Sequence, residues 1–304
     1  MNLRVALFTD ESGWHTTELS EAFARAGLET AVLSLRHCAI DIEAGVAGLR
    51  LPGFEHALPA AVFVRCVPGG SFEQVTTYLG ILHALRDAGV AVVNDAIGIE
   101  RSVDKGATSL LLHRAGIPTP PSWVFSDPAA AVATVGAELA AGNEVVQKPL
   151  FGSQGKGVRR IAELADLHAD GDYQGVYYLQ RFIAPGTSGW RDWRVFVIAG
   201  NAVAAMRREG RDWVNNVAMG GTCRTAVLEP PLKQLAEAAT RALGLDYSGV
   251  DLLRDAEGRW WVVEVNSIPA WHGLQSVCPA SIAGCLAELL RARTAAHQLL
   301  EAAR

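Results

Sequence analysis

The chain has 304 residues, which at roughly 150 residues per domain suggests two domains and leaves room for a core that needs no disulfide or metal staple. Half of the residues are hydrophobic and 19% are charged, which excludes a disordered or fibrous chain. Lys and Arg number 27 against 32 Asp and Glu, a net charge of −5, and this excludes a general nucleic-acid binder with its basic field.

The first third alternates strands and helices. LRVALFT (Leu3 to Thr9) predicts a buried strand. A helix follows from about Thr16, with Leu19, Ala22, Phe23 and Ala26 on one face and Gly27 past its end. TAVLSL (Thr30 to Leu35) and AAVFVR (Ala60 to Arg65) are the second and third strands. Ser71 with Gln74 three residues later forms a capping box for a helix reaching about Ala88, stopped by Gly89. VAVV, around Ala91, is a fourth strand. Such an alternation implies a parallel sheet covered by helices, a Rossmann-like unit. The first strand runs into DESGWH rather than GxGxxG, so a dinucleotide site is not expected.

Asp95 to Pro121 reads as helical up to the cluster Gly116-Ile117-Pro118-Thr119-Pro120-Pro121, a boundary or hinge that no helix can cross. Asp127-Pro128 caps an alanine-rich helix, and EVVQKP (Glu144 to Pro149) is a strand leading into a glycine-rich loop. WRVFVIAGNAVAAMRR predicts a hairpin turning at Gly200-Asn201. A helix spans about Pro231 to Leu243, and a second hairpin, Gly249 to Asn266, turns at Asp255 to Gly258. The last helix covers about Ser281 to Leu300, with Ile282, Leu286, Leu289 and Leu290 inward.

The five cysteines contain no CxxC pair, and an odd number suits free thiols in a reducing cytosol. The start meets Asp10 and Glu11 too early for a signal peptide. The longest uncharged stretch, Val265 to Ala287, carries two prolines and cannot span a bilayer. A cytoplasmic location with no membrane partner is expected.

Three constellations carry chemistry. Lys148 to Gly157 packs three glycines, a serine and flanking lysines into a loop whose N–H groups can approach an anion, although no GK[ST] follows. A glycine-rich hairpin with solvated lysines is the structural alternative. Glu264 and Asn266 lie two apart on an apolar strand and share a face; a turn near Ala256 places Asp251 opposite about position 262, on that same face. Two carboxylates and an amide oxygen suit Mg²⁺ beside phosphates; a solvent-facing polar strand is the alternative. Asp192-Trp193-Arg194, with Arg207, Arg208, Asn215 and Asn216 further on, supplies donors for a phosphoryl group or an oxyanion, or else surface ion pairs. Lys105 alone says little. Arg65, Gly69 and Gly70 follow the third strand and either reach a cavity or form a plain turn. The eight tryptophans read as core.

Taken in order, these residues resemble the ATP-grasp superfamily and its RimK-like α-L-glutamate ligase branch over nearly the whole chain. The resemblance rests on Asp104-Lys105, KPLFGSQGKGV, LQRFI, DWRVFV, AAMRR, the Asn216 to Gly221 run, GVDLLR and EVNSIP. It implies an α/β pre-ATP-grasp domain over residues 1–95 and a two-subdomain α+β ATP-grasp domain over 96–304, with a mobile lid at about 120–185. It implies that Lys105 and Lys148 bind nucleotide phosphates under a flap that includes Gly152, Ser153, Gly155 and Gly157. Gln180, Arg181, Phe182 and Ile183 would meet adenine, and Asp192 would contact the nucleotide. Asp251, Glu264 and Asn266 would hold Mg²⁺, for which Mn²⁺ could substitute. Arg194, Arg208 and Asn216 would be the catalytic groups near the γ-phosphate and acyl phosphate.

The implied reaction joins an amine, glutamate in the first place, to a carboxylate through an acyl phosphate, with ATP giving ADP. Such proteins often self-associate, so a homo-oligomer is expected. Three departures stand out: Arg181 where relatives carry an acid, Trp213-Val214-Asn215 where arginine and serine are common, and PAWHGL at Pro269 to Leu274 in place of PGLEGI. The WHGL variant resembles relatives linked to tetrahydromethanopterin-type cofactors. A nucleotide-binding regulatory protein with a degenerate acceptor site is the alternative.

Overall fold

The computed structural model describes residues 3–152, 155–168, 171–186, 189–214 and 221–302. The chain opens with β1 (Leu3–Phe8), α1 (Trp14–Arg25), β2 (Leu28–Leu33), the short β3 (Ala39–Ile40) and β4 (Leu49–Arg50), β5 (Ala61–Val64), α2 (Phe72–Asp87) and β6 (Ala91–Val93). The apolar runs form a four-stranded sheet of order β2-β1-β5-β6, with every pair parallel. Its central strands are buried on both faces, as crossover helices require. The capping box at Ser71 is formed in both directions: Gln74 N–H donates to Ser71 Oγ, and Ser71 N–H to Gln74 Oε1.

The predicted helical stretch after Asp95 is two helices, α3 (Ala96–Val103) and α4 (Lys105–Arg114). Asp104 divides them, because its carboxylate accepts from Gly106 and Ala107 N–H at 2.8 and 3.0 Å and starts a new helix there. After the prolines come β7 (Ser122–Phe125), α5 (Pro128–Ala140), β8 (Val145–Lys148), β9 (Arg159–Ile161) and β10 (Tyr177–Arg181). They form an antiparallel sheet of order β7-β10-β8-β9 packed against α5.

The third sheet contains β11 (Arg191–Ile198), β12 (Asn201–Glu209) and β13 (Thr222–Thr225), followed after α6 (Pro230–Leu243) by β14 (Tyr247–Arg254) and β15 (Trp260–Asn266). Its order is β13-β12-β11-β14-β15, antiparallel throughout. α6 covers one face through Leu232, Ala236, Ala239 and Leu243. The short α7 (His272–Gln275) and the long α8 (Ile282–Ala302) follow. α8 returns to α1, so Val5, Leu7 and Phe63 of the first sheet share one core with Phe196, Tyr247, Trp271 and Leu286. No helix among the described residues is long and apolar enough to cross a membrane.

Two expectations are corrected. The first hairpin turns at Ala199-Gly200, one residue early: Ile198 pairs with Asn201, and both turn residues have positive φ, 50° and 76°. That is the hairpin turn whose twist matches the flanking strands. In the second hairpin Leu252 pairs with Val262, but a bulge before Asp251 leaves Val263 unmatched and sets Asp251 directly against Glu264. With Leu252 against Val262 the turn alone puts Asp251 opposite Val263, one residue past the expected 262; the one-residue bulge carries it to Glu264 and leaves Val262 on the opposite face from Glu264.

Asn94, fully buried after β6, joins the first sheet to the third. Its Nδ2 donates to Tyr247 O (2.8 Å) and Ser267 O (2.6 Å), and its Oδ1 accepts from Asp246 and Tyr247 N–H (2.7 and 3.1 Å). Asn94→Ala strands these backbone groups away from water and should lower stability by about 2–3 kcal/mol. Urea unfolding measures this, and a variant as stable as the parent would mean that the tie contributes nothing.

Candidate active site

The face of the third sheet opposite α6 is polar by register. Asp192 pairs with Arg208, Arg194 with Met206 and Asp251, Asp251 with Glu264, and Gly249 with Asn266. Alternation, reset on β15 by the bulge at Val263, puts Asp192, Arg194, Arg208, Asp251, Glu264 and Asn266 on one surface, while Val195, Leu252 and Val262 face α6. This surface floors a cavity of about 700 Å³ walled by the loop after β8, the end of β10, and Glu11 and Arg65 from the first sheet. Nine lysines and arginines line it against four carboxylates, although the whole chain is acidic. Such a cavity attracts anions.

Arg194 holds Asp251 with two bonds of 2.7 Å, Nε to Oδ1 and Nη2 to Oδ2. Arg208 reaches Asp251 Oδ2 at 3.2 Å and binds Asp192 through Nε. Burial works against the charge on Asp251, yet the two guanidiniums hold its carboxyl down to about 2. Burial pushes Asp192 up to about 6, with Arg208 opposing and the Asp251 charge adding. Glu264, opposite Asp251, makes no hydrogen bond or ion pair among the described residues. The Asn266 Nδ2 donates only a long 3.5 Å bond to Gly249 O, which leaves its Oδ1 open. The described residues hold no cluster of three His, Cys, Asp or Glu side chains suited to a metal. On this face of the third sheet the open oxygens are those of Glu264 and Asn266, one carboxylate and one carboxamide.

Two lysines face this pair from the other wall. Lys148, the last residue of β8, donates to Gln180 Oε1 at 2.7 Å, and Gln180 Nε2 donates to Ser122 Oγ and Tyr178 Oη, both at 3.1 Å. Burial pushes Lys148 down to about 8, opposed by Glu264 and reinforced by Lys105. Lys105 Nζ donates to Leu150 O (3.2 Å) and Gly152 O (3.1 Å), tying α4 to the loop, and burial lowers it too, with Glu264 opposing. In that loop Gly155 and Gly157 have φ of 71° and 69°, values that side-chain-bearing residues rarely adopt.

A model of the RimK-like ATP-grasp domain matches residues 102–290, more than half of the chain. The chain belongs to the RimK-like ATP-grasp family. It is 29% identical over 293 residues to the tetrahydromethanopterin:alpha-L-glutamate ligase of Methanococcus maripaludis, covering 92% of this chain and 95% of that one. It is 32% identical over 299 residues to a probable alpha-L-glutamate ligase of Vibrio cholerae, with 96% of each covered. Among solved structures, the ATP-grasp ligase PsnB complexed with minimal precursor superposes with a TM-score of 0.74 at 22% identity, over 96% of this chain and 100% of that one. The D-cycloserine synthetase DcsG gives 0.68 at 21%, over 95% and 99%. These two likenesses show the ATP-grasp fold, and the chain is an ATP-grasp ligase by its family.

Of the residues expected at an ATP-grasp site, Lys105, Lys148, Gly152, Gly155, Gln180, Arg181, Phe182, Ile183, Asp192, Arg194, Arg208, Asp251, Glu264 and Asn266 all line the cavity. Gly157 lies behind it, its carbonyl accepting from Tyr173 Oη at 2.6 Å. Ser153 and Asn216 lie outside the described residues. Three assignments acquire detail. The Gln180 side chain is buried and spent on Lys148. Arg181 turns to Glu138 of α5 with bonds of 2.7 and 2.9 Å, so its charge is met by that helix. Asp192 is bound by Arg208. The sequence reading missed Gln180 as the lysine partner. Its signal was parity: Tyr178 and Gln180, two apart on an apolar strand, are polar groups that burial obliges to pair.

Proposed function

We propose that the chain joins glutamate, or a similar amino acid, to a carboxylate acceptor of the tetrahydromethanopterin-type cofactor class, with ATP and Mg²⁺. The observation that carries this reading is the convergence of Lys105, Lys148 and Arg208 on Glu264 and Asn266 in one cation-rich cavity. The glutamate ligases among the relatives support the amino acid, and the first of them supports the acceptor class. We read residues 1–95 as the pre-ATP-grasp domain and the sheet β7 to β10 as the lid.

Lys148, held by Gln180, and Lys105 neutralise triphosphate oxygens, and loop N–H groups add donors. The open oxygens of Glu264 and Asn266 fit Mg²⁺, which prefers a few hard oxygen ligands and keeps waters and phosphates for the rest. Asp251 joins that set only by giving up its grip on Arg194. Bound Mg²⁺ supplies charge neutralisation at the transferring phosphoryl group. Arg194 and Arg208 hold the acyl phosphate oxygens while the amine attacks, and a closed lid keeps water from that intermediate.

ADP release on mixing ATP, Mg²⁺, L-glutamate and a reduced tetrahydromethanopterin-type acceptor tests the reading. Nucleotide binding with no ADP formed from any acid–amine pair would instead mark a regulatory protein. Lys148 adds a pH signature. Its pKa of about 8 sits below the usual 10.5, so the folded chain holds fewer protons than the unfolded one between these values. The penalty of its burial is full below about 8 and fades as pH rises through the window. Anion binding needs the charged form, so metal-free ADP should bind more weakly above pH 8, by up to about tenfold per pH unit. Calorimetry at a series of pH values measures this, and a flat profile would remove Lys148 from the phosphate site.

A further inference from the structure

Arg65 follows β5, its N–H donating to Phe8 O at 2.8 Å as the strand pairing ends. Its side chain is 8% exposed, lines the cavity, and stands over the Trp271 ring at 5.5 Å. Its Nε is sealed from solvent with no partner, and its terminal nitrogens make no hydrogen bond or ion pair among the described residues. The other buried arginine of the cavity is satisfied: Arg208 has Asp192 and Asp251. Arg194, partly exposed, has Asp251 as well. Glu11 shares the wall but lies beyond ion-pair distance of Arg65.

A guanidinium cannot shed its proton, and burying it unpaired is costly. Neighbouring groups do not relieve it. His15, packed at 4.5 Å against Trp271, accepts from Trp271 N–H at 3.1 Å. Burial, with the charges of Arg65 and His272 adding, pushes it down to about 4, so it stays neutral at pH 7; an imidazole is neutral or cationic and cannot balance a guanidinium in either form. No carboxylate among the described residues pairs with Arg65, which leaves its fork open to an anion in the cavity.

We propose that Arg65 is a substrate-binding residue that takes, through its planar fork, a carboxylate which is not consumed in the reaction. The inference rests on the ligase reading and deepens it: one of the two substrates must carry a spectator carboxylate. A single flat anion suits one guanidinium, which can bond it bidentately. Phosphate oxygens have their own cations in Lys105 and Lys148 on the opposite wall. Two substrates could bring the carboxylate, the incoming amino acid or the acceptor.

The experiment is calorimetric binding to the full chain with ADP and Mg²⁺ present, comparing L-glutamate, its α-amide isoglutamine, its γ-amide glutamine, and glutarate, which lacks the amine. Arg65→Met should weaken the carboxylate ligands by roughly 10–100-fold, the effect of losing a charge-assisted bidentate pair. Arg65→Lys should recover part of it. Arg65→Met should melt no lower than the parent, since it removes an unpaired buried charge; a structural arginine would give a drop. If one amide binds poorly to the parent and is indifferent to Arg65→Met, the replaced carboxylate belongs to the amino acid and is the one Arg65 holds. If glutarate binds as well as L-glutamate and both weaken together, the carboxylate is the acceptor's. Unchanged binding of every ligand to Arg65→Met overturns the proposal, as does failure of the parent to bind any of them. Binding needs no turnover: Arg65-dependent binding without ADP release would sink the ligase reading and spare the subsite, and ADP release unaffected by Arg65→Met would do the opposite.

Discussion

Glu264→Gln is expected to cut ADP release by about 10²–10³-fold, the loss of roughly 3–4 kcal/mol of charge stabilisation where phosphoryl transfer is most demanding. The carboxylate makes no hydrogen bond or ion pair among the described residues, and its charge reaches the nucleotide-free fold only across the cavity, at Lys105 and Lys148. Glutamine keeps its length and leaves β15 intact. The melting temperature should therefore stay within a degree or two of the parent (roughly, a surface-like change). Loss of activity without loss of stability separates a ligand for cation and phosphate from a structural acid. A Glu264→Gln chain that turns over at the parental rate would refute the cation assignment. One that melts far lower would show that Glu264 has a structural partner. The cation dependence sharpens this result: the Mg²⁺ concentration giving half-maximal ADP release should rise in the variant.

Much of this site was legible in the sequence because its logic is local. Glu264 and Asn266 share a face by parity alone, and the glycines after Lys148 announce a loop that side chains would obstruct. The capping box at Ser71 and the Asp127-Pro128 cap are also local, and both form as read. What could not be read depends on long-range geometry. The bulge at Val263 has no composition signal, since a valine among valines marks no break, yet it sets Asp251 against Glu264. The Asn94 tie joins residues more than 150 positions apart, so its four hydrogen bonds exist only once the sheets have docked. In the sequence Arg65 is open to two readings, a cavity residue or part of a plain turn, and it lines the cavity; its lack of a partner is a property of the assembled wall. The partner of Arg181 is likewise out of local reach: Glu138 on α5 lies 43 positions away in the chain.

Asp251, one strand over from Glu264 and on the same face, should behave in the opposite way. It is buried, and both of its oxygens are occupied by Arg194 and Arg208. Asp251→Asn removes the charge that these guanidiniums share. Asp192 cannot replace it for Arg194, because it bonds only Arg208. Leaving the half-buried Arg194 without a counter-charge, and Arg208 with Asp192 alone, is expected to cost about 3 kcal/mol, a fall in melting temperature of roughly 5–10 °C for a chain of this size. The native carboxyl, held at about 2 against an ordinary 3.8, adds a pH signature. Its stabilising share is present above the unfolded value and is lost as pH falls through about 2, and the Asp251→Asn chain should lack that acid limb. Adding Arg194→Gln to Asp251→Asn should recover part of the loss, since the pair is then removed together and the double-mutant cycle isolates their coupling. An Asp251→Asn chain as stable as the parent but inactive would mean that the ion pair is idle and that the carboxylate serves the cation alone. The two neighbouring acids thus differ in their surroundings, Glu264 with open oxygens and Asp251 bound by Arg194 and Arg208.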